Sequence, residues 1–557
     1  MKQTNLLIHL MLIALLILSC GSNPKENALK EFLKSHLETV IPLMKQSNLA
    51  YWNAAVTGED SLYNQYSQLE LKIRKIYSDT ADYAYLKALK NSGEIKNPLL
   101  ARQLKLLLNE YLRNQIDPDL LENMVSLSAD IEKRFSTFRG TIDGKKVTTN
   151  EINQLLKTEP DSKTRRDAWL ASKQVGPIVA GDLIKLVKMR NEAARKLGFN
   201  NYHTMTLQTV EQNVNEINRI FDELYGLTFQ PFESLKSELD SILAAGYGIR
   251  PESLKPWHYH DPFFQETPLV YQTDLDSYYK GQNIEELAAV FYEGIGLPVR
   301  DILHRSDLYE KEGKNPHAFC TDIDRKGDVR ILCNIQPDER WMETMLHELG
   351  HGVYDKYQDP DVPFLLREPA HTFTTEAIAM FFGRLSRNGA WMQAMLGLSD
   401  KEREAIDHVS EKYARLKQLI FARWAMVMFR FEQALYQNPD QDLDALWWEL
   451  KSKYQLVNKP EKRDEPDWAS KIHFTIAPCY YHNYLLGELL ASQLHSTLKR
   501  KLHADDEVMQ YVGEKEIGAF LKKRVFEVGA TLYWNAMIEQ ATGEPLNPEY
   551  FVNQFVY

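Results

Sequence analysis

The chain has 557 residues, enough for one large domain or several, and no low-complexity linker divides it. Its net charge of −11, without a basic stripe to follow phosphates, argues against nucleic acid as a partner. Four cysteines are too few for a disulfide scaffold.

Residues 1–20 read as a targeting signal. Lys2 gives the positive start, and Leu6 to Leu18 form an apolar run too short to span a bilayer as a finished anchor. The run ends Ile17-Leu18-Ser19-Cys20-Gly21. A small residue before a cysteine at this point resembles the lipobox of bacterial lipoproteins, where the cysteine is lipidated and becomes the new N-terminus. Cys20 is the expected lipidation site; an ordinary secretory signal is the alternative. The expectation is an exported protein of the bacterial cell envelope, tethered to a membrane by its N-terminal lipid and facing the periplasm. Residues 21–27 read as a tether and 28–557 as the folded domain.

From there the pattern is helical. Leu29, Phe32, Leu33, Leu37, Val40, Ile41 and Met44 keep the helical period, as do Leu62–Tyr77, Leu99–Leu112 and Leu120–Phe135. Thr148-Thr149-Asn150-Glu151 is a helix start. Arg165 to Leu197 reads as a long helix broken at Gly176-Pro177, with Gly198 as its cap. Glu211 to Ala245 is helical with Pro231 interrupting. Pro256 to Gln265 is a loop dense in aromatics and histidines. It lacks helical ligand spacing and reads as the wall of a cleft rather than a metal site.

Phe319 to Cys333 is the one clear hairpin, turning at Arg325-Lys326-Gly327-Asp328. Centred there, Cys320 and Cys333 fall opposite one another. In an oxidising compartment the two could bond, and buried free thiols are the equal alternative.

The hairpin leads into His347-Glu348-Leu349-Gly350-His351. On a helix, residues four apart share a face, so His347 and His351 can reach one zinc ion at roughly 2.0–2.1 Å. Glu348, a step round the helix, suits a general base for a water that the metal activates. Met342, Met345, Leu346, Leu349 and Val353 make the helix apolar, so a satisfied buried histidine pair is the competing reading. A third ligand is required. Glu376 falls in the apolar stripe Phe373, Ala377, Met380 and Phe381, where a carboxylate needs a compensating charge. Glu368, His371 and Asp355 compete, and Glu376 fits the spacing best.

Glu402–Leu435 and Leu443–Tyr454 are further helices. Lys471, His473, Tyr480, Tyr481 and Tyr484 then cluster before an apolar run. Beside a zinc site they supply donors for a substrate carboxylate and an oxyanion; alone they read as a solvated helix start.

Several of these segments, in this order, resemble the angiotensin-converting enzyme family, the peptidyl-dipeptidase A zinc metallopeptidases. The likeness runs from about Trp52 to the end. It is carried by Ala50-Tyr51-Trp52-Asn53-Ala54-Ala55-Val56-Thr57, Asn191-Glu192-Ala193-Ala194-Arg195, Trp447-Trp448-Glu449-Leu450-Lys451-Ser452-Lys453-Tyr454-Gln455 and Thr542-Gly543. The resemblance implies zinc ligands His347, His351 and Glu376, and Glu348 as base. His317-Ala318 resembles the edge strand that holds the peptide. Lys471 and His473 match the family's Lys-x-His, which grips the C-terminal carboxylate and the peptide. Tyr484 corresponds to the oxyanion stabiliser, Tyr481 to a carboxylate ligand and Gln265 to a carboxylate-binding glutamine. Asn483 and Lys451 stand where the family has chloride-binding arginines, which leaves chloride open, with Trp447 and Lys451 as the candidate anion site. Met380 replaces an acidic residue that supports a ligand.

The resemblance thus implies a mainly α fold. Two helical halves would flank a deep cleft, with a gluzincin HExxH helix beside a small β-hairpin. The implied activity is a zinc dipeptidyl carboxypeptidase acting on oligopeptides with a free C-terminus. A zinc oligopeptidase or single-residue carboxypeptidase on the same scaffold is the near rival. A non-catalytic peptide-binding lipoprotein is the distant one, and it has no need of Glu348.

Overall fold

The computed structural model describes residues 23–271, 274–502 and 511–556. The expected signal segment and Cys20 lie outside the described residues. Helices dominate, with two small antiparallel hairpins among the described residues.

The first helix, Pro24–Thr57, opens on Asn23, whose side chain accepts from the N–H groups of Lys25 and Glu26. The tether expected over 21–27 is therefore helical from Pro24 onward. An Asn-Pro pair that resembles a loop is here a cap followed by a proline in the first turn, where its missing N–H costs nothing. With Asp60–Tyr77, Thr80–Ser92 and Pro98–Arg113, this helix pools Leu29, Leu33, Leu86, Leu100, Leu104 and Leu107 into a cluster separate from the main core.

A second hairpin, Gly140–Ile142 with Lys145–Val147, was not expected. Its two-residue turn is Asp143-Gly144, at φ 48° and 80°. An Asp-Gly pair between two short runs is the sequence signal for such a turn. The helix start expected at Thr148 is present, and Thr148 and Glu151 form a capping box there. The helix expected over Arg165–Leu197 with a break at Gly176-Pro177 is two, Ser162–Lys173 and Val175–Lys196, parting slightly earlier, at Gln174. Pro177 lies in the first turn of the second, where no intrahelical donor is lost. Pro231 does not interrupt its helix, which runs from Val214 to Tyr247. One absent N–H is outweighed by the intact turns on either side.

The hairpin before the motif pairs Phe319–Asp322 with Val329–Leu332. Its register sets Cys320 against Ile331 and leaves Cys333 past the last pair. Ile323 N–H bonds Asp328 C=O, so the turn is centred one position earlier than expected. Cys320 and Cys333 are thus diagonal rather than opposed, and both are free thiols, the second of the two alternatives, which corrects only the opposed register. The edge of Phe319–Asp322 away from its partner has no strand beside it, and the Asp322 carbonyl there accepts from Asn48 Nδ2 at 3.1 Å.

The main core gathers the motif helix Glu339–Lys356, the second ligand helix Thr372–Gly383, and the long helices Asp400–Gln437 and His482–Leu502. Met342, Met345, Leu346 and Leu349 are 0% exposed. At roughly 1.5–3 kcal/mol for each such side chain, burial fixes the motif helix firmly. No described helix is long and apolar enough to cross a membrane.

Candidate active site

The motif helix starts at Asp338, whose carboxylate accepts from the Trp341 N–H at 2.8 Å. Tyr292 donates to the Leu346 carbonyl at 2.6 Å, tying the core to the turn that holds the histidines. The rings of His347 and His351 lie 5.0 Å apart. The second ligand helix is capped by His371, whose ring accepts from Phe373 N–H at 3.2 Å, so that competitor for the metal is a capping residue. Glu368 is likewise committed, to Arg325.

The two ligand helices touch at Gly350. A Cβ there would lie 2.7 Å from the Ala379 Cα and 3.0 Å from the Ile378 carbonyl oxygen. The glycine thus lets Glu376 reach the histidines. Its Oε2 is 3.8 Å from His347 Nε2 and 3.9 Å from His351 Nε2. The edge of a tetrahedron with ligands at 2.0–2.1 Å is about 3.4 Å, so the two carboxylate–imidazole edges are close to zinc geometry, and all three ligand atoms lie within 4.8 Å of one another. The chemistry of the set agrees. Burial, then His347, holds His351 neutral, with its pKa lowered to about 3. Burial also lowers His347. Burial raises Glu376 to about 7, opposed by the Tyr480 hydroxyl. A buried cation reverses that cost.

His351 Nδ1 meets Thr375 Oγ1 at 2.8 Å. With Nδ1–H donating, Nε2 keeps its lone pair for the metal. Thr375 thus orients His351. Sequence reasoning missed this role, although the threonine directly precedes the ligand. Glu348 is 8% exposed and raised to about 8 by burial and then by the Glu376 charge, against a backbone N–H of Cys320. An open cavity of about 670 Å³ is lined by Ala318, His347, Glu348, His351, Asp355 and Glu376. His317 does not join this lining; it is exposed, just ahead of the strand.

The expected carboxylate-binding residues come together from distant segments. Lys471 Nζ donates to Gln265 Oε1 at 2.6 Å, leaving the glutamine amide hydrogens free. Trp424 Nε1–H donates to the Tyr481 oxygen at 2.7 Å, which leaves the tyrosine proton free to be given. Trp424 carries no sequence signal, since its helix is apolar around much of its surface there. Lys471 lies over the rings of Phe263, Trp424 and Tyr481. Burial lowers it to about 8, with Asp261 and Glu266 pulling the other way. His473 Nδ1 is buried without a hydrogen-bond partner. Gln265, His473, Tyr481 and Tyr484 share a cavity of about 740 Å³ with His347, so one member of the metal triad faces the same space as these donors.

Trp447 and Lys451 lie elsewhere, in a buried pocket with Trp169 and Lys173. Lys451 donates to the Phe263 carbonyl and to Gln455, at 2.7 and 2.6 Å. Lys173, which sequence reasoning missed, reaches Ser470 Oγ at 3.3 Å and sits over the Phe263 ring. Asn483 is bonded to Gln212 at 2.7 Å.

A helical scaffold holding two histidines and a glutamate in metal geometry, with a buried glutamate beside them, defines a metallopeptidase of the HExxH class. The profile described as Peptidase family M3 matches residues 155–557, and that of Angiotensin-converting enzyme matches residues 23–248. The chain belongs to Peptidase family M3, whose profile covers most of its length, and it is similar to angiotensin-converting enzymes over its first half and through relatives along the chain. An angiotensin-converting enzyme of Theromyzon tessulatum is 22% identical over 93% of this chain and 89% of its own length. An angiotensin-converting enzyme-related protein of Drosophila melanogaster is 21% identical over 48% of this chain and 44% of its own. An inactive angiotensin-converting enzyme-related protein of Caenorhabditis elegans is 22% identical over 71% of this chain and 48% of its own. Against these last two, the chain spans about half the relative's length. Because one relative is named inactive, catalysis has to be argued from the site.

Proposed function

We propose that the chain is a zinc dipeptidyl carboxypeptidase, releasing dipeptides from oligopeptides with free C-termini. Exported and lipidated at Cys20, it would work from a membrane tether facing the periplasm. The observation that carries the reading is the shared cavity of His347 with Gln265, His473, Tyr481 and Tyr484, at whose edge Lys471 donates to Gln265. A cation with two neutral donors suits a terminal carboxylate, and such charge-assisted bonds contribute roughly 1.5–3 kcal/mol each. Zinc held by His347, His351 and Glu376 supplies a Lewis acid and makes water a nucleophile near neutral pH. Glu348 takes the proton of the attacking water and passes it to the leaving amine. The Tyr484 hydroxyl, in the cavity beside His347, donates to the oxyanion. The unpartnered His473 Nδ1 and the backbone of Ala318, which lines the cavity just ahead of the strand, hold the peptide backbone. Gluing the carboxylate at one end fixes which bond meets Glu348.

A second reading, the oligopeptidase, has one observation in its favour. A cavity of about 330 Å³ continues past Lys471 and His473, between Phe138, Gly140 and Ile152, with room for further residues. Digestion of matched acid and amide peptides, read by mass spectrometry, separates the two. Stepwise dipeptides from the acid, with the amide much poorer, is the expected result. Equal turnover with internal fragments overturns the dipeptidase assignment.

A further inference from the structure

Asp355 lies one turn beyond His351 on the motif helix and lines the cavity that holds the metal triad and Glu348. Its carboxylate has no hydrogen bond or ion pair among the described residues. Neighbouring cations are committed elsewhere. Arg325 pairs with Glu368 and donates to the Phe364 carbonyl at 3.2 Å. Arg367 donates to the Val362 carbonyl at 2.6 Å, and Lys356 pairs with Asp301 at 2.5 Å. The other carboxylate at this end, Asp322, accepts from the backbone N–H groups of Asp324 and Arg325 and repels Asp355. Arg325 attracts Asp355 without bonding to it, and Asp322 repels it more; a carboxylate held in a cavity wall with no bonded counter-ion is costly, and a ligand cation lowers that cost.

Direction along the cavity follows from the helix. His347 faces both cavities, the one containing Gln265 and Tyr481 and the one containing Asp355. The residues Glu343, His347, His351 and Asp355 succeed one another on one face, about 6 Å apart. A peptide anchored by its C-terminus at Lys471 therefore runs its amino-terminal part toward Asp355. An extended chain advances about 3.3 Å per residue and alternates its side chains. From the midpoint between the histidines, the second residue before the scissile bond is the one whose long side chain reaches Asp355.

We propose that Asp355 makes this a site for basic peptides, taking a lysine or arginine side chain at the second residue on the amino-terminal side of the scissile bond. The inference rests on the peptidase reading above. Its test compares full-length zinc-loaded protein on two peptides that differ only at that residue, lysine or isosteric norleucine. We expect kcat/KM to favour lysine about ten- to hundred-fold, as one charge-assisted contact allows. The ratio should collapse toward one in Asp355→Asn and persist in Asp355→Glu. Binding of the same peptides to Glu348→Gln protein, by calorimetry, reads the preference without turnover. A silent protein that still prefers lysine overturns the peptidase reading and keeps this site. Equal binding and turnover of the two peptides, or a lysine preference undiminished in Asp355→Asn, overturns the site.

Discussion

The site has two sides, and they are built in opposite ways. On the metal side, two neighbouring helices supply His347, His351, Glu348 and Glu376, and one glycine contact sets their spacing. On the carboxylate side, the partners Gln265 and Lys471 are 206 residues apart and meet through a loop and a helix start. The metal side stands on helices buried to 0% exposure at Met345 and Leu349, and its geometry is a property of the core. The carboxylate side is buried too, with Trp424 0% exposed, but its residues come from separate segments joined by single hydrogen bonds such as Trp424 to Tyr481. Chemistry that must be positioned closely is on the rigid side, and recognition, which tolerates adjustment, is on the other.

If that division holds, damage to the two sides separates in kinetics. Glu348→Gln leaves the three ligands in place, so zinc is retained while kcat falls about 10²–10⁴-fold, the range for a lost general base. Full activity in that variant, or in protein stripped of metal, breaks the metal side of the comparison. Lys471→Ala should raise KM about ten- to hundred-fold with kcat and zinc content little changed, as loss of a charge-assisted contact allows. A fall in kcat alone would move Lys471 to the metal side.

The same lysine gives a pH signature. Its folded pKa is lowered from 10.5 to about 8, so it is charged below that pH and loses charge above it. The kcat/KM for acid peptides should fall as pH rises through about 8, and that for amides should not. For stability the sign is reversed. The burial cost of the charge is fully present below about 8 and vanishes as pH rises toward 10.5, so this group alone makes the fold more stable across that window.

A subtler change sharpens the comparison from the metal side. Thr375→Val keeps shape but removes the hydroxyl on His351, and zinc affinity should drop about 10–100-fold, with Thr375→Ser restoring it. Competition with a chromogenic chelator measures this without any peptide. The smallest expected effect is at the hairpin. Cys320 and Cys333 should both label in unreduced, denatured protein, and a reductant should leave the Tm unchanged.

The same division explains what could be read in advance. His347, His351 and Glu376 were legible because helical spacing is local, and an apolar stripe marks the odd carboxylate. Lys471 was legible as one of a cluster of donors, but Gln265 was reached only through family resemblance, since no spacing rule joins positions so distant. Thr375 was in plain view beside Glu376, but a hydroxyl has many uses and its partner is 24 residues away. Trp424 and Lys173 lie inside helices and look like packing until the fold turns them toward one another's loops. The opposed register of the thiols failed for a smaller reason: the turn is centred one residue earlier, and register errors of that size are invisible to composition.

Gly350 has one more consequence. Written as a pattern, His-Glu-x-x-His has two open letters, yet in this chain neither is open. Leu349 is 0% exposed in the core, and any side chain at 350 meets the backbone of the neighbouring helix at 2.7 Å. A saturation scan across 347–351 would therefore return five intolerant positions in a row, three for chemistry and two for packing. Ranked by tolerance alone, the leucine and the glycine would look like active-site residues, and only zinc content and thermal stability, measured side by side, would tell the two kinds of loss apart.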